Sequence, residues 1–267
     1  MKKAVPFILL IILFAGATWY SFVKTPAPVH ELPPPSIAPV SPDTRQQPLS
    51  RQQIDNDVVY PEFESETEPV TPPEPLPVLI ESDAEVTQAL AEIAGADPLA
   101  EYLVMDQVIS RAVASIDSLT SRQVPVHINP IRPAGDKFIV DSQDDSLVLS
   151  PNNFARYDGY VALLQNMNTG GLINFYRRYS PLFQQAWEEN GGQGSFNDRL
   201  LEVIDDLLEA PDVAGPVYLT KYEAVYLFEA PELEAMSAGQ KTLVRMGSAN
   251  ASVVKDKLIE IRAELKP

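Results

Sequence analysis

Between Lys24 and Val78 the chain is made mostly of Pro, Glu, Ser, Thr and Gln, with Pro33-Pro34-Pro35, Pro72-Pro73 and Pro75-Leu76-Pro77 among them. Low hydrophobicity with acidic charge leaves too little apolar surface to offset the entropy of ordering a chain. Residues 24–79 are therefore predicted to be a disordered linker, and any fold has to be built from what flanks them. Proline biases such a segment to extended polyproline II, while Glu62, Glu64, Glu66 and Glu68 repel one another. At about 3.1 Å per residue its reach is bounded on the order of 170 Å. It reads as a spacer holding a domain off a membrane, against the plainer reading of a tether whose length matters little. A ligand for a proline-recognising domain is the weaker third reading, because no P-x-x-P with a flanking basic residue stands out.

Residues 1–23 supply the membrane. Ala4 to Val23 is apolar and uncharged, with Lys2 and Lys3 before it and a lone Lys24 after it. About 20 apolar residues cross a bilayer core as a helix, and the lysine asymmetry places the amino terminus in the cytoplasm and everything after Lys24 outside it. Trp19, Tyr20 and Phe22 fit an interfacial aromatic belt. The competing reading is a cleavable secretory signal ending at Ala15-Gly16-Ala17, but the apolar run continues past that site to Val23. Under both readings the bulk of the protein is exported. Its 20 Lys+Arg against 37 Asp+Glu, a net charge of −17, argue against nucleic acid or anionic lipid as a partner of the folded part. With no cysteine, disulfides, thiolate catalysis and cysteinyl metal sites are excluded.

Residues 80–267 amount to one domain. Ser82-Asp83-Ala84-Glu85 reads as a capping box opening a helix through Val86, Leu90 and Ile93 that ends at Gly95. Pro98 in a first turn starts a second helix, predicted to run from Asp97 to about Leu119. Three prolines between Val124 and Gly135 make an extended connection. Phe138 to Val140 and Leu147 to Leu149, around the turn Ser142 to Asp145, form a hairpin. Helix resumes near Asn153 and again near Thr169, where Leu172, Phe175, Tyr176, Tyr179, Leu182, Phe183, Ala186 and Trp187 share one face and Asn174, Arg177, Arg178 and Gln185 the other. Pro181 falls on the polar side, where a kinked helix tolerates it. Phe196, Leu200, Val203, Ile204 and Leu207 stripe a further helix, and Val217 to Thr220 and Ala224 to Phe228 are strands. A second capping box at Ser237 and Gln240 opens a helix ending at Gly247, and Val254, Leu258, Ile261 and Leu265 define the last one. The fold class is thus mainly α, an α+β helical domain with a small sheet or hairpin, preceded by one transmembrane helix and a disordered linker.

Candidate chemistry is sparse. Histidine occurs only as His30, in the linker, and His127, in the proline-rich connection, so a Ser-His-Asp arrangement is disfavoured and imidazole metal sites are excluded, leaving only carboxylate sites for hard cations. Asp198, Glu202, Asp205, Asp206 and Glu209 lie opposite the Leu200 stripe and read as a solvated face. Asp141-Ser142-Gln143-Asp144-Asp145 lacks the glycine and terminal Glu of a calcium loop and reads as a turn. Gly191-Gly192-Gln193-Gly194 has no lysine and no preceding strand to make it a phosphate cradle. Asn250-Ala251-Ser252 matches the glycosylation sequon, a three-residue pattern read here as chance. Tyr176-Arg177-Arg178-Tyr179 puts its aromatics on the buried face, leaving Arg177 and Arg178, beside Asn174, to pair with the acidic helix after Phe196 or to form a partner surface. No catalytic, metal or cofactor residue is assigned. A pair of carboxylates acting as in a glycosidase stays open, since such pairs are defined in space and not by sequence.

Four segments carry a resemblance: Pro151-Asn152-Asn153-Phe154-Ala155-Arg156-Tyr157, Tyr176-Arg177-Arg178-Tyr179-Ser180-Pro181-Leu182-Phe183, Phe196-Asn197-Asp198-Arg199-Leu200, and Ser237-Ala238-Gly239-Gln240-Lys241-Thr242-Leu243-Val244-Arg245-Met246-Gly247. Together they resemble the proteobacterial family called domain of unknown function 3014, over about Leu79 to Leu265. The resemblance implies a Gram-negative cell, an inner-membrane anchor at residues 4–23 and a periplasmic domain. It brings no activity and no catalytic residue. The expected function is a non-enzymatic envelope module that binds an envelope protein or cell-wall component; the runner-up is a periplasmic hydrolase using two carboxylates.

Overall fold

The computed structural model describes residues 75–266 apart from 95, 126, 127, 133, 135, 136 and 224. The expected membrane span at 4–23, nearly all of the linker, and both histidines lie outside the described residues. Among those described, no helix is long and apolar enough to cross a membrane. Leu76 and Leu79 already pack against the core.

Helices α1 (Asp83–Ala94), α2 (Ala96–Tyr102) and α3 (Val108–Ser118) come first, followed by strands β1 (Val140–Gln143) and β2 (Ser146–Leu149). A 3₁₀ segment, Pro151–Tyr157, leads into α4 (Asp158–Asn166), α5 (Thr169–Glu189) and α6 (Phe196–Leu208). The chain then forms β3 (Tyr218–Tyr222), β4 (Val225–Phe228), the single turn α7 (Pro231–Glu234), α8 (Ala238–Arg245) and α9 (Gly247–Leu265). The class read from the sequence holds: mainly helix, with one four-stranded antiparallel sheet in the order β1-β2-β3-β4.

The α5 stripe forms as its spacing predicts. All eight residues of that stripe are buried, as is Ile173, and Pro181 sits exposed inside the helix. Phe183 stacks on Phe196 of α6 with centroids 5.8 Å apart and planes 17° from parallel, an offset geometry that adds to the area term. Leu200, Val203, Ile204 and Leu207 of α6 are fully buried, each contributing roughly 1.5 to 3 kcal/mol of transfer free energy. Val254, Leu258 and Ile261 of α9 close the same core.

The predicted helix from Asp97 to Leu119 is broken. Its backbone turns extended after Tyr102, where Leu103 bridges Ile131, Val104 N–H donates to the Pro130 carbonyl (2.7 Å) and Arg132 N–H to the Tyr102 carbonyl (2.9 Å). Gln107 then takes a left-handed φ of 50°, and α3 restarts with its first amides bound by a side chain from another helix. Asp83 accepts from Gln107 N–H at 2.7 Å and from Val108 N–H at 2.9 Å, placing a carboxylate at the positive end of α3.

That use of α1 also replaces the capping box expected at Ser82 and Glu85. Ser82 Oγ donates to the Leu79 carbonyl (2.7 Å), and Glu85 accepts from Tyr179 Oη (2.8 Å) and Arg178 Nη2 (3.0 Å). The second capping box forms as read, with Ser237 and Gln240 exchanging both bonds. Gly247 ends α8 with φ +80°, and α9 begins at once. A Cβ there would meet the Phe154 ring at 2.8 Å.

In the sheet, Asp144 and Asp145 have φ of 48° and 62°, the two left-handed residues of a type I′ turn. Leu149, Leu219 and Phe228 with Val217 and Val244 form a second, smaller core between the sheet and α8.

Leu200→Ala is expected to destabilise the protein by about 2 to 5 kcal/mol, while the exposed Glu209→Ala should stay within about 0.5 kcal/mol. Urea denaturation of both variants checks the assignment of the two faces of α6.

Candidate functional site

Asn174, Arg177 and Arg178 lie on one face of α5, but the two arginines serve different neighbours. Arg177 is 60% exposed; its Nη2 donates to the Glu264 carbonyl at 3.1 Å and lies 3.9 Å from that residue's carboxylate. Arg178, 34% exposed, bonds Glu85 of α1 and lies 5.5 Å from the Tyr179 ring centroid. The expected pairing with the acidic helix α6 is not what forms. Arg199, within α6, reaches back to Asp117 (2.7 Å), its carbonyl and Thr120, and Arg262 of α9 meets Asp205.

Asp206 corrects the reading of α6 as uniformly solvated. It accepts from Ser237 Oγ at 2.7 Å, and its backbone carbonyl accepts from Gln240 Nε2 at 2.7 Å, fastening the start of α8 to α6. Burial holds its carboxyl above the ordinary value, and the Ser237 hydrogen bond opposes that shift.

The segments that stand out in the sequence prove to be fasteners. The Asn153 amide sits at the end of the β1–β2 ladder: Oδ1 accepts from Ile139 N–H (2.9 Å), and Nδ2 donates to the carbonyls of Ile139 (2.6 Å) and Ser150 (2.9 Å). Arg156 Nη2 donates to the Ala134 carbonyl at 3.1 Å. Asn250, the sequon asparagine, donates to the carbonyls of Phe154 and Met246. Arg245 is almost wholly buried, its guanidinium 5.0 Å from the Phe228 ring centroid; burial pushes its pKa down against the attraction of Tyr157 and Glu234. Glu234 accepts from Lys241 Nζ (2.9 Å) with one oxygen and from Phe228 N–H (2.9 Å) with the other.

The open feature lies on the sheet. A cleft of about 480 Å³ is lined by Asp141, Ser142 and Gln143 of β1, Val148 and Leu149 of β2, Pro151, Phe154, and the segment 215–217. Asp141, Val148 and Tyr218 pair directly across three strands and so share one face, which continues along β3 to Tyr222. Tyr218 is 41% and Tyr222 58% exposed. The lining mixes one carboxylate, a hydroxyl and an amide with proline and aromatic surface. The sequence had marked residues 141–145 only as a turn. The missed signal is an exposed polar strand beside the apolar run Leu147-Val148-Leu149. Among the described residues no group of three or more His, Asp or Glu is placed to hold a metal.

Fold and cleft together define an α+β module with an open cleft beside its sheet. The chain belongs to the family of proteins of unknown function DUF3014, whose model matches residues 108–262. No curated protein and no solved structure matches it. The match takes in the cleft and all four motif segments, and leaves α1 and α2 outside.

Glu85 carries a pH dependence. Its hydrogen bond from Tyr179, with Arg178 adding to it, holds its carboxyl below the ordinary 4.5. A lowered carboxylate pKa contributes stability that is present above the unfolded value and lost as pH falls through the folded one. Glu85→Gln should therefore flatten the loss of stability below about pH 4.5, by at most about 1 kcal/mol because the side chain is partly exposed. Arg178→Ala should cost about 0.5 to 1 kcal/mol and Arg177→Ala about zero. Urea midpoints at neutral and acid pH read all three.

Proposed function

We propose that the protein is a membrane-anchored envelope module of a Gram-negative cell, whose periplasmic domain binds an envelope protein or cell-wall component at a distance from the inner membrane. The observation that carries the binding role is the open cleft beside exposed β1. Its mixed lining suits recognition, and its place beside the exposed strand β1 leaves it accessible to a macromolecule. The anchor rests on Ala4 to Val23 with its flanking lysines, and the stand-off on the linker. Among its lining residues the cleft has one carboxylate, Asp141, whereas glycoside hydrolysis of the common kind uses two at about 5 to 10 Å, so the hydrolase reading draws no support from it. The face with Asn174, Arg177 and Arg178 is a second contact surface, where a partner would compete with Glu85 and Glu264.

A reporter active only in the periplasm, fused after Pro267, should be active, and the protein should pellet with membranes. A photo-reactive residue at Ser142 should give a discrete adduct in living cells that the same residue at Glu209 does not. Cytoplasmic reporter activity, or release of a soluble product beginning near Thr18, overturns the topology. Indistinguishable crosslinking at the two positions overturns the cleft as the binding surface.

A further inference from the structure

The sheet has two edges, and they are treated differently. Ser150 N–H donates to the Ile139 carbonyl at 3.3 Å, which makes Ile139 and Ser150 a hydrogen-bonded pair in the β1–β2 register. Antiparallel pairs alternate, so Asp141 and Gln143 bond inward to β2, while the N–H and C=O groups of Val140 and Ser142 point away from the sheet. On the other side, Glu229 N–H donates to the Tyr218 carbonyl at 3.0 Å, which leaves Tyr226 and Phe228 as the outward residues of β4. There the Phe228 N–H is taken by Glu234 of α7 at 2.9 Å. One outward N–H of the β4 edge is thus taken by a side chain, and among the described residues β1 pairs with β2 alone.

Charge decides what the open edge accepts. Asp141, Asp144 and Asp145 are exposed on the β1–β2 hairpin with no ion pair among the described residues, in a chain of net charge −17. A second copy adding to β1 would bring Asp141 near its own duplicate, and like charges opposed across strands are destabilising. A phosphate-rich or otherwise anionic partner meets the same repulsion. A strand carrying Lys or Arg across from Asp141 meets attraction instead. A long cationic side chain can lay its methylenes along Val148, Pro151 and Pro216 while its head group reaches the carboxylate.

We infer that β1 and the cleft beside it take an extended, cationic peptide segment by strand addition, with Val140 and Ser142 supplying the main-chain bonds and Asp141 the charge contact. This rests on the binding role proposed above and names its ligand class.

The test uses the full chain in detergent micelles and three synthetic capped hexapeptides: alternating Arg-Val, alternating Glu-Val, and alternating Arg-Pro. The Arg-Pro peptide has the charge of the first but lacks the N–H groups that strand addition needs between its arginines. The Arg-Val peptide should bind, one per chain, and slow hydrogen exchange at the Val140 and Ser142 amides; the Glu-Val peptide should not bind. Asp141→Lys should weaken binding by about tenfold or more, and Ser142→Pro, which removes an outward N–H, should also weaken it. Both variants should keep the wild-type melting profile, as expected of exposed edge positions. Equal binding of the Arg-Pro peptide, absence of Arg-Val binding, or indifference to both substitutions overturns the inference. If any of these occurs while the crosslink at Ser142 still forms a discrete adduct, the binding role stands and only the peptide assignment falls. Loss of that adduct as well removes both.

Discussion

A seam of buried polar groups holds the sheet to the helices, and the geometry of the cleft depends on it. Arg245 and Lys241 of α8 are almost wholly buried, and Glu234 bridges Lys241 to the β4 backbone while Arg245 lies against Phe228. Asn153 does the corresponding work at the other edge, its amide closing the β1–β2 ladder. Buried polar groups are costly unless satisfied, so such a seam tolerates one arrangement of its partners. A purely apolar contact between sheet and helix would allow sliding. The sheet core alone, five buried residues around Leu149 and Phe228, is small beside the helical core.

The same seam explains why the most distinctive segments of the chain name no chemistry. Asn153 binds the β1 backbone and Arg156 the Ala134 carbonyl, Lys241 and Arg245 meet Glu234 and Phe228, Ser237 and Gln240 hold Asp206 of α6, and Gly247 lies under the Phe154 ring; of these residues Phe154 alone also lines the cleft. Their residue types are those a catalytic site also uses, which is why sequence inspection stops on them. The surface that is open is built from ordinary residues, Asp141, Ser142, Pro151 and Pro216, whose meaning is positional.

Local pattern was readable wherever one face of an element is buried along its whole length. The stripes of α5, α6 and α9 and the Ser237 box came directly from spacing, because burying such a face requires a 3.6-residue rhythm. The break between α2 and α3 also left a trace in that rhythm. Leu103 to Ile109 is a step of six residues, which lands about 240° away on a helix, so the two could not share a face. The remote cap by Asp83 and the Glu85–Tyr179–Arg178 contact had no local trace, since each joins residues far apart in sequence.

The sequence by itself determined the division into apolar segment, proline-rich acidic stretch and helical domain, the buried faces of the main helices and the turn at Asp144-Asp145, because all of these follow from composition or short-range periodicity. Tertiary structure alone decided that the two hairpins join into one sheet, that Asp206 faces α8 and not solvent, that Arg178 pairs with α1, and that a cleft opens beside β1. Each of these depends on which surfaces meet after long loops close, and the free energy of that meeting is shared between segments that carry no mark of one another in the chain.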